Sequence, residues 1–149
     1  MSTDAREAWI ADSDEVETRF DSKEQITAHL CSLEQQARGD VCIKIDHGPI
    51  RGWRRFLGMK RDVTACFAVE WDSGYASLIF FDDAGSEYRV IDGAHPVAPS
   101  EQVRRNIAHG ELRPHPIVEC MDKTRAFAAI RDFLSRDSRP DWLTYKYVP

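Results

Sequence analysis

Apolar positions along this chain fall into two rhythms. Ile26, Leu30, Leu33 and Ala37 recur at steps of three and four, the spacing that lines one face of an α-helix. Asp21 with Glu24, or Ser22 with Gln25, has capping-box spacing at its start. Gly39 stands where a left-handed residue would end that helix. The period then drops to two. Val41, Ile43 and Ile45 alternate with Cys42 and Lys44, and Val63, Ala65, Phe67, Val69 and Trp71 share one face of a longer predicted strand. Asp72-Ser73-Gly74 and Asp82-Asp83-Ala84-Gly85 read as turns around strands at 75–81 and 87–91. Loops this short connect antiparallel neighbours, so the pattern predicts a meander.

The ending is equally patterned. Phe127, Ile130, Phe133 and Leu134 define a second helix, with Asp122 as its N-cap and Arg139-Pro140 beyond its end. An aromatic strand, Trp142-Leu143-Thr144-Tyr145, follows. Residues 93–116 are broken by Pro96, Pro99, Pro114 and Pro116; a short helix from Ser100 and a strand over 116–120 are expected there. Trp9-Ile10-Ala11 reads as a short edge strand. The order helix, strands, helix, strand implies an α+β fold: an antiparallel β-sheet (meander) with two main α-helices packed on one face. No repeat divides the chain, so 1–149 is read as one domain with an acidic leader over about 1–20.

Composition narrows the class. The chain has 149 residues, 42% hydrophobic and 30% charged, enough apolar content for a real core. No apolar run nears the roughly 18 residues of a spanning helix, and the polar N-terminus has no secretory character, so a cytoplasmic address is expected. Cys31, Cys42, Cys66 and Cys120 lie far apart among apolar neighbours; they are read as buried reduced thiols, with neither disulfides nor structural zinc. Charge is uneven. Residues 1–24 hold eight acids against three bases, which is the whole net charge of −5. Such an end would steer a basic partner.

Candidate chemistry is sparse. The histidines (His29, His47, His95, His109, His115) come without a nucleophile motif, zincin motif or phosphate loop. A metal set of His109 and His115, which flank a proline-containing loop, with His95 lacks a carboxylate at ligand spacing, and a hydrolase assembled around His95, His109 and Asp residues lacks a recognisable triad or metal set. Asp82-Asp83 suits a turn better than an acid–base pair. No enzyme activity, cofactor or metal is expected. The most unusual stretch is 51–61, RGWRRFLGMKR, where five bases surround Trp53 and Phe56 with no acid. It fits a phosphate-gripping, base-stacking segment, an Arg/Trp recognition patch, or a connection whose aromatics tuck into the core while its arginines stay wet.

Three segments resemble the first-numbered family of immunity proteins from bacterial polymorphic toxin systems, which includes inhibitors of deaminase-type toxins. They are the 41–45 strand with Gly48-Pro49; the hairpin YASLIFFDDAGSEYRVIDG from Tyr75; and the ending from Ala126 through Phe133-Leu134 to Arg139-Pro140 and Trp142-Leu143. Where that family commonly has Trp two residues after the final Leu, this chain has Tyr145. The resemblance implies a non-enzymatic, cytoplasmic inhibitor that occludes the active site of a cognate toxin, acting as a monomer in a one-to-one complex without membrane or direct nucleic-acid binding. Arg139, Pro140 and Gly85 would be structural. The expected toxin-facing residues are Trp53, Phe56, Trp71, Asp72, Asp82, Asp83 and Glu87. The alternative is a small nucleic-acid-binding regulator using 51–61.

Overall fold

The computed structural model describes residues 7–13, 16–49, 61–91, 104–107, 111–114 and 119–149. Its main sheet is antiparallel and contains β1 (Ala8–Ser13), β2 (Val16–Phe20), β3 (Arg38–Pro49), β4 (Arg61–Asp72), β5 (Tyr75–Phe81), β6 (Glu87–Val90), β9 (Met121–Asp122) and β10 (Tyr145–Val148). The order is β10-β6-β5-β4-β3-β1-β2, with β9 alongside β5. β3 to β6 form the expected meander. A separate hairpin joins β7 (Arg104–Ile107) to β8 (Glu111–Pro114), and β7 lies against β4.

Both helices cover one face of the main sheet. α1 (Lys23–Glu34) contributes Ile26, Leu30 and Leu33 to the core, and α2 (Lys123–Arg136) contributes Ala126, Phe127, Ala129, Ile130 and Leu134. They meet alternate strand residues: Trp9 and Ala11, Val41 and Ile43, Phe67, Val69 and Trp71, Ala76, Leu78 and Phe80. Each helix is capped as its sequence suggested. Ser22 accepts from the Gln25 N–H at 3.2 Å while Gln25 Oε1 accepts from the Asp21 N–H at 2.9 Å. Asp122 accepts from the Thr124 N–H at 2.9 Å.

Gly39 does not end α1. The helix stops at Glu34 with Gln35 still right-handed, so Ala37 lies beyond it and outside the core. Gly39 sits in β3 directly opposite Trp71, and a Cβ there would lie 2.6 Å from Trp71 Cζ2. The missing side chain makes room for the indole. Trp71 Nε1 donates to the Gln36 carbonyl at 3.0 Å, and its ring meets Phe127 edge-on at 5.3 Å. One tryptophan thus joins the end of α1, the β3–β4 pair and α2. Lys123 Nζ also donates to Gln36 O, at 2.8 Å, so that carbonyl is twice satisfied.

The regular alternation predicted for β4 breaks at a bulge. Ile43 pairs with Phe67 but Lys44 with Ala65, leaving Cys66 as the extra residue. The inserted residue flips the parity of everything before it. Thr64 then shares the face of Ile45, and Val63 turns away from the helices to 43% exposure.

Other expectations shift as well. Trp9-Ile10-Ala11 belongs to β1, which lies between β3 and β2. It is interior, because β2 covers its outer side. Arg104, expected in a short helix, begins β7; Ser100 lies outside the described residues, as does the 116–118 part of the expected 116–120 strand. Of that strand's described part, Cys120 precedes the short β9 and belongs to no strand. The last strand begins at Tyr145 and not Trp142, because Trp142 turns back onto α2, donating from Nε1 to Asp132 at 3.0 Å.

Candidate partner-binding surface

The five described residues among the seven expected contacts do not form one patch. Trp53 and Phe56, with most of the basic 51–61 stretch, lie outside the described residues. Trp71 is 2% exposed and held in the core, so it cannot serve as a surface anchor; its period-two position among apolar neighbours was the signal for burial. Asp72 closes the β4–β5 turn, where it accepts from Ser73 Oγ at 2.7 Å and faces Arg38 at 3.6 Å. Asp82, Asp83 and Glu87 sit at the far end of β5, seven residues away, or about 23 Å at the usual strand rise.

That far end is the richer surface. Asp82 organises its turn: Oδ1 accepts from the Ala84 and Ser86 N–H groups at 3.0 and 2.9 Å, and its carbonyl accepts from Gly85 at 3.0 Å. Gly85 has φ +83°, the left-handed conformation this turn demands. Its structural role agrees with the expectation. Glu87 is paired with Arg89, whose Nε donates to it at 2.8 Å. Asp83 is exposed at the turn tip. Asp82 and Glu87 therefore shape this end, and Asp83 is the acid most open to a partner.

Aromatic side chains from the chain ending border the same turn. β10 pairs with β6, setting Tyr147 opposite Tyr88 and Tyr145 opposite Val90. Tyr147 is 54% exposed, and its hydroxyl donates to Ser86 Oγ at 3.2 Å. The Arg139 guanidinium lies over the Tyr88 ring, 3.5 Å from its centroid. Tyr145 donates to the Pro140 carbonyl at 2.6 Å, and burial pushes its phenol up to about 12. It stays protonated and donating at neutral pH. An open cleft of about 530 Å³ lies here, lined in part by Phe81, Phe133, Asp137, Arg139, Leu143 and Tyr145. Tyr and Arg are the residue types that dominate protein contacts. Sequence reasoning missed Tyr147, although its period-two relation to Tyr145 places both on one strand face.

One constellation has the connectivity of a catalytic relay. His47 Nε2 lies 3.2 Å from Thr64 Oγ1, and His47 Nδ1 lies 3.2 Å from Glu7 Oε1. A hydroxyl, an imidazole and a carboxylate in that order match nucleophile, base and orienting group. The His47 and Glu7 side chains are 34% and 62% exposed, however, and water competes for both hydrogen bonds. The chain serves to fasten the start of β1 to β3 and β4. Among the described residues, no group of three or more His, Cys, Asp or Glu side chains is arranged to hold a metal, and no helix is long and apolar enough to cross a membrane.

No protein-family model matches the chain. No curated protein sequence matches it significantly.

Proposed function

We propose that this protein is a non-enzymatic immunity protein that neutralises a cognate bacterial toxin of the nucleic-acid-targeting, deaminase-like kind by covering its active site. The observation that carries the reading is the β5–β6 end of the sheet. There an exposed acid, Asp83, stands beside the exposed Tyr147 and the Arg139–Tyr88 stack. A toxin that accepts nucleic acid is basic around its cleft, so acidic and aromatic groups together supply charge complementarity and contact area. Two of the segments that carry the family likeness, the 75–93 hairpin and the ending from Ala126, pack against each other at this end through Phe80–Phe133 and Tyr88–Tyr145.

Co-expression with the toxin domain encoded beside this chain is the test. Restored growth with co-purification of the two proteins is the expected result. Continued growth arrest with no complex would contradict the reading.

A further inference from the structure

The two edges of the main sheet differ in charge and in finish. At one edge, β10 carries Lys146 opposite Arg89, and Tyr147 is tied to Ser86. At the other edge, β2 is exposed from Val16 through Arg19, with Val16 65% exposed. Among the described residues, no strand pairs with its outer side. Proteins usually blunt such an edge, because unpaired backbone N–H and C=O groups template the addition of another strand.

The local charge indicates what kind of strand. Arg19 reaches across β1 to Asp46 on β3 at 2.8 Å, and Lys23 is bound by Asp137 at 2.9 Å. Both cations of residues 7–24 are thus occupied by acids from elsewhere in the fold. Lys44 on β3 is likewise held by Asp12 at 3.0 Å, so Glu17, Asp21 and Glu24 set the charge of the described part of this edge.

We propose that β2 is a docking edge that accepts an extended, basic segment of the partner as an added strand. The inference rests on the toxin-binding reading and identifies a second contact for it. Backbone hydrogen bonds to the outer side of β2 would supply affinity, and alternate side chains would supply selectivity. A cationic residue opposite Glu17 would pair with it, and an apolar one opposite Val16 would cover it. A second copy of this chain fits less well, since Arg19, which an antiparallel copy of β2 would set opposite Glu17, is already held by Asp46. The β10 edge, bearing Lys146, would repel the same basic segment.

Hydrogen exchange read by mass spectrometry on the full chain, free and with the toxin domain encoded beside it, tests the proposal. In the complex, outward amides of residues 16–20 should exchange more slowly by about tenfold or more. A complex that leaves those amides unchanged overturns the docking edge while the immunity reading stands. Concentration-dependent protection of 16–20 in the free chain assigns the edge to a second copy and also overturns it. Failure to form any complex removes both.

Discussion

The Arg139 guanidinium stacks on Tyr88 at 3.5 Å and reaches Tyr145 at 5.4 Å. It links the loop after α2 to two neighbouring strands. Arg139 is exposed and Tyr88 half-buried, so the expected worth of the contact is about 0.5–1 kcal/mol. Arg139→Ala should lower the denaturant midpoint by that amount, with unchanged denaturant dependence. If partner binding falls by much more than this stability loss explains, Arg139 also touches the partner.

Gly39 and Trp71 make a sharper prediction. A methyl group at Gly39 would meet the indole ring at 2.6 Å. Gly39→Ala should therefore destabilise by about 1–3 kcal/mol through overpacking. Trp71→Ala should cost about 3–5 kcal/mol, as expected when a buried aromatic is removed. Neither change should alter the β5–β6 surface. In the double variant the costs should fall well short of additive, because the clash disappears with the ring. Equilibrium unfolding of all three variants measures this.

The edge strand has its own anchor. Asp46 has no exposed side-chain surface, and accepts from Arg19 at 2.8 Å and from the Gly48 N–H at 2.9 Å. Arg19→Ala should destabilise by about 1–3 kcal/mol, because a buried carboxylate loses a charged donor. The loss should appear first as faster exchange in β2.

Alkaline pH should expose the bulge. Burial pushes the Cys66 thiol up from 9.0 to about 12. The folded state therefore holds this proton more tightly than the unfolded chain does. The associated stability is fully present below about pH 9 and is lost as pH rises through about 12. Burial raises Tyr145 from 10.0 to about 12, and adds a loss of the same sign above about pH 10. Stability measured from pH 8.5 to pH 11 should fall, and Cys66→Ala should flatten the slope between about pH 9 and pH 10. At neutral pH the exposed Cys31 should be alkylated first, with buried Cys66 and Cys120 reacting only on unfolding.

Both helices, their caps and the β3–β6 meander were legible because local period and turn chemistry dictate them. Ser22 and Asp122 cap where short polar side chains precede apolar periodicity, and Gly85 turns where a left-handed residue is needed. What local pattern could not show was long-range fit. Gly39 looked like a helix terminator because Trp71, the side chain that needs its space, lies across a strand pair. The Cys66 bulge reversed the parity of Val63, which no period-two reading anticipates. Asp82 and Asp83 fall in one turn, as their D-D-x-G pattern predicts. Asp72 is separated from them by the length of β5, a distance that the strand predicted over 75–81 already implies.

The β5–β6 turn itself can be tested without disturbing its frame. Asp82 holds backbone amides, so Asp82→Lys should unfold the turn and is a poor probe. Asp83→Lys changes an exposed tip. It should leave stability within about 0.5 kcal/mol, as most surface changes do, and should weaken toxin binding mainly by slowing association, an effect that shrinks with added salt. Unchanged affinity and association rate would remove this turn from the interface.

The most direct measurement is calorimetry of the purified chain against the purified toxin domain proposed as its partner, paired with that toxin's own activity assay. One-to-one binding in about the nanomolar range, typical of tight inhibitor interfaces, is expected, with toxin activity lost at stoichiometric addition. Absence of binding heat with full toxin activity retained would contradict it.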